Sequence, residues 1–146
     1  MFFRLFSIIL TALSLSAGVA HVLELSAKLR MSAATYLSTQ QLYRGWALTG
    51  VVQVAALMAT VALAIRLRTT QGAFRLATGA TGAIVASLVI FFTLTLPVNR
   101  VTRNWTVLPS NWEGMRRRWE FSHAVGAVCL LMALVLVVMA SITPNE

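Results

Sequence analysis

Four long stretches of this chain are almost free of charge. The first runs from Leu5 to about Leu25 and is broken near its end by His21 and Glu24. The second, Gly45 to Ile65, carries no charge, and neither does the third, Leu76 to about Leu96, which stops at Pro97. The fourth, Phe121 to about Ile142, contains only His123 and stops before Pro144. A bilayer core about 30 Å thick takes roughly 20 helical residues to cross. Each stretch has that length and is too continuous for the alternation of a barrel strand. The expected fold is all-α: one transmembrane domain over residues 1–146, a four-helix bundle crossing the cell membrane in several passes. Arg4 and the small residues Gly18-Val19-Ala20 imitate a cleavable leader. The apolar run continues past them to Leu25, which favours a retained span.

Composition supports a lipid environment. Hydrophobic residues make up 58% of the chain and charged residues 11%, against about 25% charged in a soluble domain. The net charge of +8 does not point to nucleic acid, because the basic residues sit in the gaps between apolar blocks, where lipid headgroups lie. Lys28, Arg30, Arg44, Arg100, Arg103, Arg116, Arg117 and Arg118 fall on one side, against Arg4, Arg66, Arg68 and Arg75 on the other. That bias places the first and third connections in the cytoplasm. The single cysteine, Cys129, reads as a small buried hydrophobe.

The first connection, Ser26 to Arg44, lacks Gly and Pro and predicts a short interfacial helix, with Tyr36, Tyr43 and Trp46 at headgroup level. Arg66 to Arg75 predicts a tight basic turn. The third connection, Pro97 to Glu120, holds Trp105, Trp112, Trp119 and the run Arg116 to Arg118. The small residues of the third block (Ala77, Gly79, Ala80, Gly82, Ala83 and Ala86) predict close helix packing within the bundle, with a homo-oligomer face as the alternative.

The chemistry concentrates at one end. The acids are Glu24, Glu113, Glu120 and Glu146, and the histidines are His21 and His123. His21 and Glu24 share one face of the first helix, and Glu120 and His123 share one face of the fourth. In an up-and-down bundle those two ends meet on the same side of the membrane. His21, Glu24, Glu120 and His123 are therefore a candidate ligand set for a non-haem metal, like the carboxylate sites of helix bundles. The same histidines could ligate a haem, which would leave both glutamates unused. The structural alternative is ordinary pairing: Glu24 stands four residues before Lys28, and Glu120 four after Arg116. Gln53, Asn99, Trp112 and Arg118 add polarity at the same end, while the other half is nearly apolar. This predicts a pocket open at one interface for a lipophilic small molecule, with Arg118 placed to hold an anionic oxygen.

One resemblance bears on this pattern. Leu96-Pro97-Val98-Asn99, then Arg118-Trp119-Glu120 and His123 opening a last apolar helix, resembles the small four-helix membrane proteins of the anthrone-oxygenase-like group, most of them domains of unknown function. His21-Val22-Leu23-Glu24-Leu25 and Gln40-Gln41-Leu42-Tyr43 resemble a bacterial subgroup, which implies a bacterial inner membrane. The resemblance implies oxidation of an aromatic or quinone-type compound by molecular oxygen, with Asn99, Arg118, Trp119 and His123 as site positions. On that reading Glu120 or His123 is the catalytic base and the resulting carbanion meets oxygen. The rival reading is a non-enzymatic membrane subunit whose polar cluster is structural. A transporter would need polar residues through the second half, where they are scarce.

Overall fold

The computed structural model describes residues 2–144, so Glu146 lies outside them. Six α-helices follow in order: α1 Phe2–Lys28, α2 Ala33–Gln40, α3 Ala47–Arg66, α4 Gln71–Ile90, α5 Leu96–Val101 and α6 Trp112–Ile142. Among the described residues there is no strand. The helices α1, α3, the continuous α4–α5 segment and α6 are long and apolar enough to cross a membrane. About a third or less of each span is buried within the protein. Leu, Val, Met and Phe cover the outside, including Leu23 at 78% and Val51 at 63% exposure. Such a surface would be a severe liability in water and is ordinary against lipid. The protein is a multi-pass four-helix membrane bundle.

Neighbouring spans run antiparallel: α1 packs on α3 and α6, and α4 on α3 and α6. At the end that carries the α3–α4 turn, small residues bring the helices together. Ala73, Ala77 and Ala80 of α4 meet Leu63 and Ala64 of α3 and Val137 and Ala140 of α6. A middle layer joins Leu15, Ala56, Ala83, Ile84, Ala127 and Leu130. In lipid, where there is no hydrophobic gain between helices, such contact depends on close packing. The expected small-residue packing of the third block is thus met by its alanines, while Gly82 has open space beside it. The tightest glycine contact is elsewhere. A Cβ built on Gly18 of α1 would lie 2.9 Å from Ala127 Cβ of α6.

Three helix boundaries differ from the expectation. The third span begins at Gln71 rather than near Leu76, so the turn after Arg66 is shorter than expected and Arg75 is helical. The last span begins at Trp112 rather than near Phe121. No proline lies between Trp112 and Glu120, Gly114 falls in the first turn, and Glu113 there suits the N-terminal dipole. At 31 residues, α6 is about 46 Å long, so its Arg116–Arg118 turn projects to headgroup level. The third span does not stop at Pro97. The chain passes through a π-helical turn, Phe91–Thr95, into α5. Proline has no N–H for the carbonyl four residues back, and its ring crowds that carbonyl. Here that residue is Thr93, and a widened turn relieves the clash while Leu96 N donates to Phe91 O. Arg118 of α6 donates to the freed Thr93 carbonyl at 2.8 Å.

This pairing carries a prediction. Arg118→Ala is expected to lower thermal stability by about 1 kcal/mol, the scale of one hydrogen bond. In a Pro97→Ala background the backbone N–H restored at that position can donate to the Thr93 carbonyl, so the same change should then cost nearly nothing. Equal losses in both backgrounds, measured as unfolding midpoints in detergent, would refute the account.

The short α2 forms as expected, capped by Ser32, whose hydroxyl accepts from Thr35 N at 3.3 Å. It folds over the open end of the bundle instead of lying on lipid, and it buries Tyr36 and Gln40. Tyr36 joins Val98, Trp105 and Trp119 in an aromatic layer. The α5–α6 loop delivers Trp105 through three successive left-handed residues, Arg103 (φ 48), Asn104 (φ 54) and Trp105 (φ 59). Each costs roughly 1–2 kcal/mol for a residue with a Cβ. The turn is held by Asn104 N donating to Asn99 O at 2.7 Å and Gln41 Nε2 donating to Trp105 O at 3.0 Å. The result is a tryptophan 2% exposed under α2.

Candidate functional site

At the open end, the last turn of α1 meets the start of α6 around one lysine. Lys28 is 1% exposed. Its ammonium lies 2.8 Å from Glu24 and 3.9 Å from Glu120. It donates to His21 Nδ1 at 3.1 Å and sits over the Tyr43 ring at 4.2 Å. Tyr43 donates to Glu24, and Tyr36 donates to Glu120 at 2.9 Å. Burial first, and then the neighbouring carboxylates, push both phenols well above their ordinary range. Both therefore stay protonated and act as donors. Arg116 does not pair with Glu120. It donates to the carbonyls of Met31 at 2.7 Å and Lys28 at 3.3 Å, which satisfies the frayed C-terminus of α1. Its guanidinium stacks on Trp112 at 4.5 Å.

This arrangement corrects the metal and oxygenase expectation. That reading placed a His/Glu site between the first and fourth helices, with His21, Glu24, Glu120 and His123 converging on a metal or a substrate. The cluster instead links α1 to α6 through a lysine. The short α2 intervenes, and the π turn divides the third span into α4 and α5, so the fourth apolar block is the sixth helix. Among the described residues, no three His, Cys, Asp or Glu side chains group so as to hold a metal ion. The physical reason is Lys28, whose ammonium already supplies the cation that the carboxylates face. Glu24 turns to Tyr43 and Glu120 to Tyr36, and neither carboxylate lines the adjoining cavity. Glu120 is therefore not poised as a base toward a substrate there. The two imidazoles are in ring contact, centroids 4.4 Å apart, which leaves no room for a macrocycle between them.

The histidines face the cavity. It has a volume of about 820 Å³ and lies between α1, α3, the π turn and α6. His21 and His123 form its head, with Trp119 4.0 Å from His123 and 5.0 Å from His21, ring centre to ring centre. Trp46 and Tyr43 pack on the other side of His21. His123 Nδ1 bonds the Trp119 carbonyl at 2.8 Å. The walls carry polar pairs that are already satisfied. Gln53 donates to Ser87 at 3.0 Å, Thr95 bonds Ser122 at 2.7 Å, and Trp119 Nε1 donates to Asn99 at 2.7 Å. Most of the remaining surface is apolar and includes Leu88, Phe91, Ala127 and Leu130, while Gln40, Arg44, Arg103 and Asn104 add polar and basic groups to the lining.

Of the residues expected to bind a small molecule, Gln53 and Asn99 line this cavity. Trp112 does not; it supports Arg116 and Tyr36. Arg118 lies on the outer face of α6 against the π turn. Lys28 and Trp105 are parts of the site that the sequence pattern does not reveal. The spacing of Glu24 and Lys28 announced an ion pair, but not that the same ammonium would reach Glu120. No family model matches the chain, nor does any curated protein or solved structure compared with it. The likeness to the anthrone-oxygenase-like group thus rests on its motifs alone, and the supported description is a small all-helical protein with four membrane spans.

Proposed function

We propose that this protein binds a lipophilic small molecule inside the membrane, with His21 and His123 at the polar head of the pocket. The observation that carries this reading is the cavity itself. Its volume of about 820 Å³ falls within the usual range of ligand sites, and its character, mostly apolar with a few convergent polar groups, is typical of them. Entry is from lipid. The lining includes Val51, Val54 and Phe92, whose side chains are 63%, 50% and 58% exposed on the membrane-facing surface. The π turn supports the same view, because such turns concentrate at functional sites. The lysine cluster beside the pocket holds α1 against α6 and so keeps the two histidines in register.

Gly50 provides the test. It lines the cavity, and a Cβ added there meets nothing within 4 Å. Gly50→Leu should therefore fill the pocket without disturbing the fold. Bromonaphthalene, added to the protein in lipid nanodiscs, is expected to quench the emission of Trp46, Trp105 and Trp119 saturably. Gly50→Leu should weaken that binding by about tenfold with an unchanged unfolding midpoint. Quenching that rises linearly with probe and is the same in both proteins would mean partition into lipid only, and would sink the proposal.

A further inference from the structure

The hydrogen-bond partners of the two histidines assign them opposite tautomers. The carbonyl of Trp119, 2.8 Å from His123 Nδ1, can only accept. Nδ1 of His123 therefore carries the hydrogen, and its Nε2 is a bare acceptor. His21 Nδ1 lies 3.1 Å from the Lys28 ammonium, which can only donate. Nδ1 of His21 therefore accepts, and its hydrogen is on Nε2. Both rings line the cavity, and neither Nε2 has a hydrogen-bond partner among the described residues. With centroids 4.4 Å apart and planes tilted by 48°, the rings present one donor and one acceptor side by side.

From this we infer that the ligand is a flat, lipophilic alcohol or phenol. Its hydroxyl oxygen accepts from His21 Nε2–H, and its hydrogen is donated to His123 Nε2. The inference rests on the reading of the cavity as a ligand pocket and adds the head group. An ether or ketone satisfies only His21, and an ammonium group only His123. A carboxylate would accept from His21 Nε2–H but has no hydrogen for the lone pair of His123 Nε2, which it would oppose. A hydroxyl meets both needs with one oxygen. The apolar walls and the rings of Trp46, Phe91 and Trp119 suit a flat hydrocarbon body.

Three probes of one shape separate the possibilities on the full chain in nanodiscs: a bromonaphthol, its methyl ether and bromonaphthalene, each read by saturable tryptophan quenching. The naphthol should bind about tenfold tighter than either of the others, the scale expected when a buried donor or acceptor is left unpaired. His123→Phe keeps an aromatic ring and should bring the naphthol to the affinity of the ether while leaving bromonaphthalene unchanged. Equal affinities for all three probes in the unmodified protein would overturn the head-group assignment while leaving the pocket intact. No saturable quenching by any of them would remove the pocket as well. Two-bond proton–nitrogen spectra of the unmodified protein give an independent reading. They should place the hydrogen on Nε2 in His21 and on Nδ1 in His123, and the same tautomer in both rings would overturn the inference.

Discussion

Lys28→Met should lower the stability of the folded protein by about 3 kcal/mol or more, the largest loss expected from any single polar substitution in this chain. The reason is what the change leaves behind. Glu120 is 1% exposed and 3.9 Å from the lysine. Its Oε1 accepts from Tyr36, but Oε2 is buried with no hydrogen-bond donor. Without the ammonium, one carboxylate oxygen is stranded at a site closed to water. Glu24 is less affected, since its side chain is 45% exposed and keeps Tyr43. The double variant Lys28→Met/Glu120→Gln removes both charges, and much of the lost stability should return. The cycle therefore isolates the pair from simple loss of the lysine side chain. Unfolding midpoints in detergent for the four proteins decide the matter. If the double variant is no more stable than Lys28→Met, the cluster is not held by that pairing.

The same cluster marks where reading a sequence stops being enough. Four spans are visible because a bilayer imposes a length, and no segment between Leu5 and Ile142 conflicts with it. That His21 and His123 lie at one end follows from counting antiparallel passes, and their 4.4 Å contact agrees. The identity of the central cation does not follow. Whether Lys28 points to lipid headgroups or inward to Glu120 depends on the rotation of α1 about its axis, and the position of the pair along the chain says nothing of that. Pro97 is a strong stop signal in water-soluble helices. Here the helix continues because Arg118, far along the chain, satisfies the carbonyl that proline frees. The left-handed run at Arg103–Trp105 has no glycine to announce it. Burial of Trp105, the bonds from Gln41 and to Asn99, and the bond from Trp105 N to the Thr102 hydroxyl hold it. Each of these features depends on a contact between distant segments, and such contacts set the chemistry of the site more than they set the fold.

Gly18→Val should separate α1 from α6 and disrupt the head of the pocket, at a cost of about 1–3 kcal/mol for overpacking. Gly18 is a point of close approach between these helices. A Cβ there would fall 2.9 Å from Ala127 Cβ and 3.2 Å from Ala127 Cα, and the second of these atoms is backbone, which cannot turn aside. The strain must therefore appear as helix displacement. It would be felt at His21, three residues along α1, and at His123, four residues back along α6, which face each other across the same interface. Gly18→Ala should show a smaller loss of the same kind. Ala127→Gly alone should also destabilise, by leaving a gap and a flexible helix position. Combined, Gly18→Ala/Ala127→Gly exchanges the methyl group from one helix to the other, and should be more stable than the two separate losses added together predict. The residual contact with the Ala127 Cα keeps the rescue partial. The imidazole signals give a second, local readout. Gly18→Val should shift the His21 and His123 resonances, whereas a cavity-lining change away from this contact, such as Gly50→Leu, should leave them in place. Strictly additive losses in the double variant, with histidine signals unmoved by Gly18→Val, would show that the helices are not held at this point and that their register is set by the lysine cluster alone.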